Sequence, residues 1–247
     1  MRKVKSYVYT KKKQPIFKFV QFLFKGSYRK PKTLINHNED FPTDGLLVGP
    51  HMKKQGPFYL SMYYPKKCAI IGASPMLGSY KERFHYLRDI YYIKKNHSNK
   101  FLATLKASFE AIFSIYIYKG MHLIASYEDM RLMYTINDAT KTLDNGLPVF
   151  IFPEDSDNGY QLVMQNLHEG FITIAKFISK KRQKEIPLYP YYVHVKRRIL
   201  VIGKPFYLSQ LKGKTNEEIV KYTADRINEL NPNLEEDKKI DPTYKQS

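Results

Sequence analysis

The chain of 247 residues contains no Trp, a single Cys (Cys68), and 23 acidic residues against 41 basic ones. One cysteine excludes a disulfide framework and any zinc site built from several thiolates of one chain. It also excludes the profile of a small disulfide-stapled secreted protein. The deficit of acid leaves a formal net charge of +18, which suits nucleic acid, an anionic membrane surface or an acidic partner, and composition does not choose among these. Long uninterrupted apolar runs are missing too. The longest stretch, Phe101 to Ser126, is broken by Lys106, Glu110 and Lys119, so no segment is expected to span a bilayer. No small-residue cleavage site follows the apolar window Ile16 to Phe24, so no cleavable signal is expected either. Gly45 to Gly56 holds no Gly-x-Gly-x-x-Gly, which argues against a dinucleotide fold. His85, His97, His122, His168 and His194 show no ligand spacing, and no metal site is expected.

What is present is a foldable composition, 43% hydrophobic and 15% aromatic, in a chain long enough to bury a full core. Residues 1–44 form a basic, aromatic-rich N-terminal segment. Within it Phe17, Phe19, Val20, Phe22, Leu23 and Phe24 stand between Lys11, Lys12, Lys13 and Lys18 on one side and Lys25, Arg29, Lys30 and Lys32 on the other. Aromatic residues flanked by cations suit a helix lying on an anionic leaflet; a helix packing on the domain reads the same way. From residue 45 to 232 short β-rich runs alternate with helical stretches, which predicts an α/β domain with a central, mostly parallel sheet flanked by helices. Strands are expected at Leu46 to Val48, Cys68 to Ile71, His122 to Ala125, Pro148 to Phe152, Ile186 to Val195 and Ile199 to Ile202. Helices are expected at Tyr80 to Lys95, Phe101 to Tyr118, Asp129 to Leu143 and Gly170 to Ser179, with a capping box at Thr215 and Glu218 opening one more. Residues 233–247 read as a polar, loose tail.

In such a sheet, chemistry collects at the carboxyl ends of strands. Two ends carry polar clusters: His51 after the first strand, and Glu154, Asp155, Ser156 and Asp157 after the fourth. Here the sequence resembles the glycerol-phosphate and lysophospholipid acyltransferase family. That family has a His-x4-Asp motif after an early strand and, later, a strand running into Phe-Pro-Glu-Gly-Thr-Arg. The matching segments are His51-Met-Lys-Lys-Gln-Gly56 and Phe152-Pro153-Glu154-Asp155-Ser156-Asp157, about a hundred residues apart. Ile186-Pro187 and Ile202-Gly203-Lys204-Pro205 resemble its closing elements, so the likeness covers residues 45 to 210 or so. Three departures stand out. Gly56 replaces the Asp of the histidine motif, Asp155, Ser156 and Asp157 replace Gly-Thr-Arg, and no Arg stands in Gly120 to Tyr127, where a further family motif would fall.

The resemblance implies transfer of a fatty acyl group from a thioester, on coenzyme A or acyl carrier protein, to a hydroxyl of a lysophospholipid-like or glycolipid acceptor, with no bound cofactor. It implies that His51 is the general base, which requires a neutral imidazole within reach of that hydroxyl. It places Glu154 beside it at the acceptor site, with Pro153, Ser156 and Gly56 around the substrate. Asp155 and Asp157 are the candidates to orient His51 in place of the missing Asp. Their charge would repel a phosphate headgroup unless Lys53 or Lys54 compensates, so either the acceptor lacks a phosphate there or those lysines bind it. Each role has a plain alternative: a loop histidine, a carboxylate capping loop N–H groups, a loop serine. The aromatic residues of 57–64 and 109–118 line an acyl groove or belong to the core. The partners implied are an anionic membrane surface, the acyl donor and a lipid acceptor, at the inner face of the cell membrane. The rival readings are an inactive lipid- or carrier-binding homologue of the same fold and, behind it, a nucleic-acid binder using Lys11–13, Lys94–95, Lys180–Arg182 and Lys196–Arg198. No nucleic-acid module appears, and none is expected as partner.

Overall fold

The computed structural model describes residues 14–52, 55–127, 129–155 and 161–241. Lys53, Lys54, Ser156 and Asp157, and the run Lys11 to Lys13, lie outside them. The chain is α/β. Among the described residues it has seven strands, β1 (Thr33–Asn36), β2 (Leu46–Val48), β3 (Ala69–Ala73), β4 (Leu123–Ser126), β5 (Val149–Ile151), β6 (Leu188–His194) and β7 (Ile199–Ile202). They form one sheet in the order β1-β7-β6-β2-β5-β3-β4. The β6–β7 hairpin is antiparallel, and every other pairing is parallel. Strand β2 lies central, between β5 and β6.

Parallel strands covered on both faces need apolar residues at every position. Leu46, Leu47 and Val48 of β2 and Val149 and Phe150 of β5 are all fully buried. Leu47, Ile70 and Phe150 point into a core on one face, and Leu46, Val48, Ala69 and Val149 into a core on the other. The first face is covered by helices α1 (Pro15–Phe24), α2 (Gln55–Tyr63), α3 (Tyr80–His85) and α4 (Lys100–Gly120), the second by α5 (Leu132–Asp144), α6 (Gly170–Arg182) and α7 (Asn216–Asn228). Side chains start several of these helices. Ser79 and Glu82 form a capping box on α3, Thr215 and Glu218 form one on α7, and Asn99 Oδ1 accepts from Leu102 N at 2.8 Å to open α4.

The structure differs from the sequence reading in four places. The N-terminal segment also supplies an edge strand: β1 pairs in parallel with β7, Thr33 opposite Ile199. Tyr80 to Lys95 is not one α-helix; after His85 it winds as a π-helix over Tyr86–Lys95. The predicted loose tail is helical over Leu234–Ile240 (α8). It docks through the fully buried Asp237, whose oxygens accept from Arg197 Nη1 at 2.7 and 2.8 Å and from Asn231 Nδ2 at 2.8 Å. Finally, α4 is long and apolar enough to cross a membrane by length and composition, because the charges at Lys106 and Glu110 are too few to lower its hydropathy decisively.

Candidate active site

Strands β2 and β5 are neighbours in register, Val48 opposite Ile151, so the turns leaving their carboxyl ends emerge side by side. This brings His51 next to Glu154. The chain leaves β2 through Gly49, whose flat approach to Tyr191 admits no side chain: a Cβ there would stand 2.4 Å from the Tyr191 carbonyl oxygen. Tyr191 Oη then donates to Pro50 O at 3.1 Å, pinning the next residue. The His51 ring packs edge-on against Phe152, with centroids 4.9 Å apart.

Glu154 is 6% exposed. Its Oε2 accepts the N–H of His51 at 2.8 Å, and its Oε1 accepts the N–H of Gln161 at 2.6 Å. Burial pushes the carboxyl up to about 7, while the N–H groups of Gln161, His51 and Met52 and the charge of Lys95 pull the other way. Desolvation wins. In the geometry shown, Glu154 therefore works as a clamp on the main chain of the His51 turn. The far side of the clamp is braced as well. The Gln161 side chain donates to Asp155 O at 2.8 Å and Asn166 O at 3.1 Å and accepts from Gln165 N at 2.8 Å. Asp241 and Asn228 hold the N–H groups of Leu162, Val163 and Met164.

Gly56 sits in the first turn of α2 against the His51 carbonyl, where a Cβ would stand 2.2 Å from that oxygen. Asp155 places Oδ1 3.9 Å from Nε2 of His168, and Pro153 accepts the N–H of His168 at 2.7 Å.

A cavity of about 1330 Å³ runs along these residues, larger than the roughly 300–1,000 Å³ of ordinary small-molecule pockets. His51, Pro153, Glu154 and His168 line one part, and apolar side chains including Phe24, Phe58, Met76 and Ile117 line the rest. Lys95, Glu110 and Arg131 also line it, and the sequence reading did not single them out as site residues. Arg131 lies just beyond Gly120 to Tyr127, where the resembling family carries an arginine. It stacks over Tyr127 and forks onto Asp129, with Nη2 2.7 Å from Oδ2. Lys95 ends the π-helix, whose i→i+5 winding turns side chains away from the directions an α-helical reading assigns.

A solved structure resembles this chain. It is the 1-acyl-sn-glycerophosphate (LPA) acyltransferase PlsC from Thermotoga maritima, at 15% identity over 90% of this chain and 78% of that one, with a TM-score of 0.48. No protein-family model matches the chain, and no curated protein does.

Proposed function

We propose that the protein is an acyltransferase that moves a fatty acyl group from a thioester to the hydroxyl of a lipid acceptor. The observation that carries this reading is the pairing of His51 with Glu154 at adjacent strand ends on the wall of a large, mainly apolar cavity. An apolar cavity shelters an acyl chain, and a histidine held by its main chain at the cavity wall suits proton transfer. The motif resemblance at the same two strand ends supports the same chemistry.

In this mechanism the His51 imidazole takes the proton of the acceptor hydroxyl. The hydroxyl oxygen attacks the thioester carbonyl, the carbon–sulfur bond breaks, and the imidazolium returns the proton to the leaving thiolate. The products are an ester and a free thiol. Glu154 is a positioning residue, since it fixes the turn that carries the imidazole. The donor is a coenzyme A or acyl-carrier thioester, whose negative charge suits a chain of +18. Lys95 and Arg131 line the cavity as cations for an anionic acceptor, a role the sequence reading gave to Lys53 and Lys54. The protein works at the inner face of the cell membrane.

The test is thioester consumption with a mixed membrane-lipid extract as acceptor, wild type against His51→Ala, with products read by mass spectrometry. Acylated products that disappear in the variant are the expected result, and their masses name the acceptor. Absence of any His51-dependent product with either donor would overturn the reading in favour of an inactive lipid-binding homologue.

A further inference from the structure

Helix α4 is packed inside out. The residues it buries are small: Ala103, Ala107, Ala111, Ser114 and Gly120. Its outer side carries the large ones: Phe101, Leu105, Phe109, Ile112, Phe113 and Tyr116 are exposed, Phe101 by 82% and Phe109 by 64%. Their spacing of three and four residues sets them in one stripe along the helix. A surface helix in water places its large apolar residues toward the core. This one places them outward, along a rod of 21 residues and so roughly 32 Å long.

The stripe continues onto α1. Phe17 packs on Gly120 so closely that a Cβ there would come within 2.1 Å of its ring, and Gln14 Nε2 donates to Lys119 O at 3.2 Å. On the outer side of α1, Ile16, Phe19, Phe22, Leu23 and Phe24 are exposed. Contiguous apolar surface on this scale marks an interaction site. Its surroundings are cationic. Lys18 lies on α1 and Lys25 caps its C-terminal end, and Phe24 and Tyr28 border a recess of about 400 Å³ lined by Arg29, Lys196 and Arg198. None of those three forms an ion pair among the described residues.

We propose that α1 and α4 together form a docking face that lies flat in an anionic phospholipid leaflet. Charge complementarity selects this occupant over a second copy of a strongly basic chain, which would be repelled. Packing selects the flat orientation over a crossing one. The inner side of α4 is held to the protein by Arg83, whose Nε donates to Ala111 O at 3.0 Å, and by the Tyr92 hydroxyl, which donates to Glu110 Oε2 at 2.6 Å. Lipid therefore meets one side only. Ile117 and Tyr118 of α4 and Phe24 of α1 also wall the cavity that reaches His51, so the docked face borders the cavity at the C-terminal ends of both helices. The docking stands independently of the acyl-transfer reading.

The test is flotation of the full chain with phosphatidylglycerol vesicles and with phosphatidylcholine vesicles at 0.1 M salt, for wild type and Phe109→Asp/Phe113→Asp. Both side chains are exposed and lie outside the cavity lining, so thermal melts of the variant should match wild type. Wild type should float with phosphatidylglycerol and the variant should lose at least tenfold in binding. Arg29→Ala/Arg198→Ala should weaken binding to phosphatidylglycerol alone. Failure of wild type to float with phosphatidylglycerol, or equal flotation of the apolar-face variant, would overturn the proposal. So would a concentration-dependent dimer, measured by light scattering, that this variant abolishes. Turnover of a water-soluble short-chain acceptor should be unchanged in Phe109→Asp/Phe113→Asp. If turnover is absent in wild type as well while flotation holds, the acyl-transfer reading fails and the docking face stands.

Discussion

The main-chain N–H of His51 donates to Oε2 of Glu154 at 2.8 Å, although the two residues are 103 apart in sequence. The parallel pairing of β2 with β5 makes this bond available, and the other carboxylate oxygen, held by Gln161 N–H at 2.6 Å, makes it rigid. A carboxylate with both oxygens on main-chain donors fixes loops. The His51 ring, packed edge-on against Phe152, stands at the cavity wall.

That buried carboxyl gives stability a pH dependence. With its pKa raised from 4.5 to about 7, folded Glu154 holds a proton that the unfolded chain has already lost. The stability it lends is complete below pH 4.5 and falls away as pH rises to 7, by on the order of 3 kcal/mol. Denaturant melts of wild type and Glu154→Gln at pH 4.5 and 7.5 measure it. The wild-type-minus-variant difference should shift against wild type at the higher pH. Parallel curves would show that the N–H groups and Lys95 fully offset burial.

Gly56 leads to a second expectation. It stands where the resembling family carries an aspartate, and restoring that residue is the obvious repair. A Cβ there would lie 2.2 Å from the carbonyl oxygen of His51, so Gly56→Asp should destabilise by about 1–3 kcal/mol or more and lower His51-dependent turnover. Higher activity with an unchanged melting temperature would show that the turn yields and admits the carboxylate.

Much of the fold was legible because burial writes plainly in parallel strands. Leu46 to Val48 and Pro148 to Phe152 read as apolar runs, and β2 and β5 are where they should be. The strand ends then followed, and with them the pair His51 and Glu154. What the sequence hid was whatever depends on partners distant in the chain. Strand β1 has two exposed residues out of four, Leu34 and Ile35, and joins the sheet only because β7 offers an open edge. Asp237 reads as one acid in a charged tail until Arg197, forty residues earlier, is seen to hold it. Lys95 reached the cavity through a π-helix that no periodicity announces.

Asp237 should matter for stability out of proportion to its position near the end of the chain. It is fully buried and accepts two bonds from Arg197 and one from Asn231. Arg197 is a quarter exposed and reaches water once Asp237 is gone, so the cost is chiefly that of stranding the buried Asn231 amide, about 1–3 kcal/mol. Asp237→Ala should lower the unfolding midpoint accordingly. Because the neighbouring Asp241 holds the N–H groups of Leu162 and Val163, hydrogen exchange should also quicken in 161–166. A loss below 1 kcal/mol would mean that α8 contributes little to the native state.

His168 offers the sharpest check on the assignment of the base. It lines the same cavity as His51, and Oδ1 of Asp155 lies 3.9 Å from its Nε2, so it has the carboxylate neighbour that the family's histidine has and that Gly56 cannot supply. Its side chain is 68% exposed, however, and 3.9 Å is beyond hydrogen-bond length. Water competes for both groups, so the pair orients the ring weakly. The His51 ring, by contrast, is wedged against Phe152 and its main chain is clamped by Glu154. His168→Ala and Asp155→Asn should therefore keep kcat within a few-fold of wild type, whereas His51→Ala should lose about 10²–10⁴. The reverse ranking would move the general base to His168, with Asp155 orienting it, and leave His51 a residue of the turn.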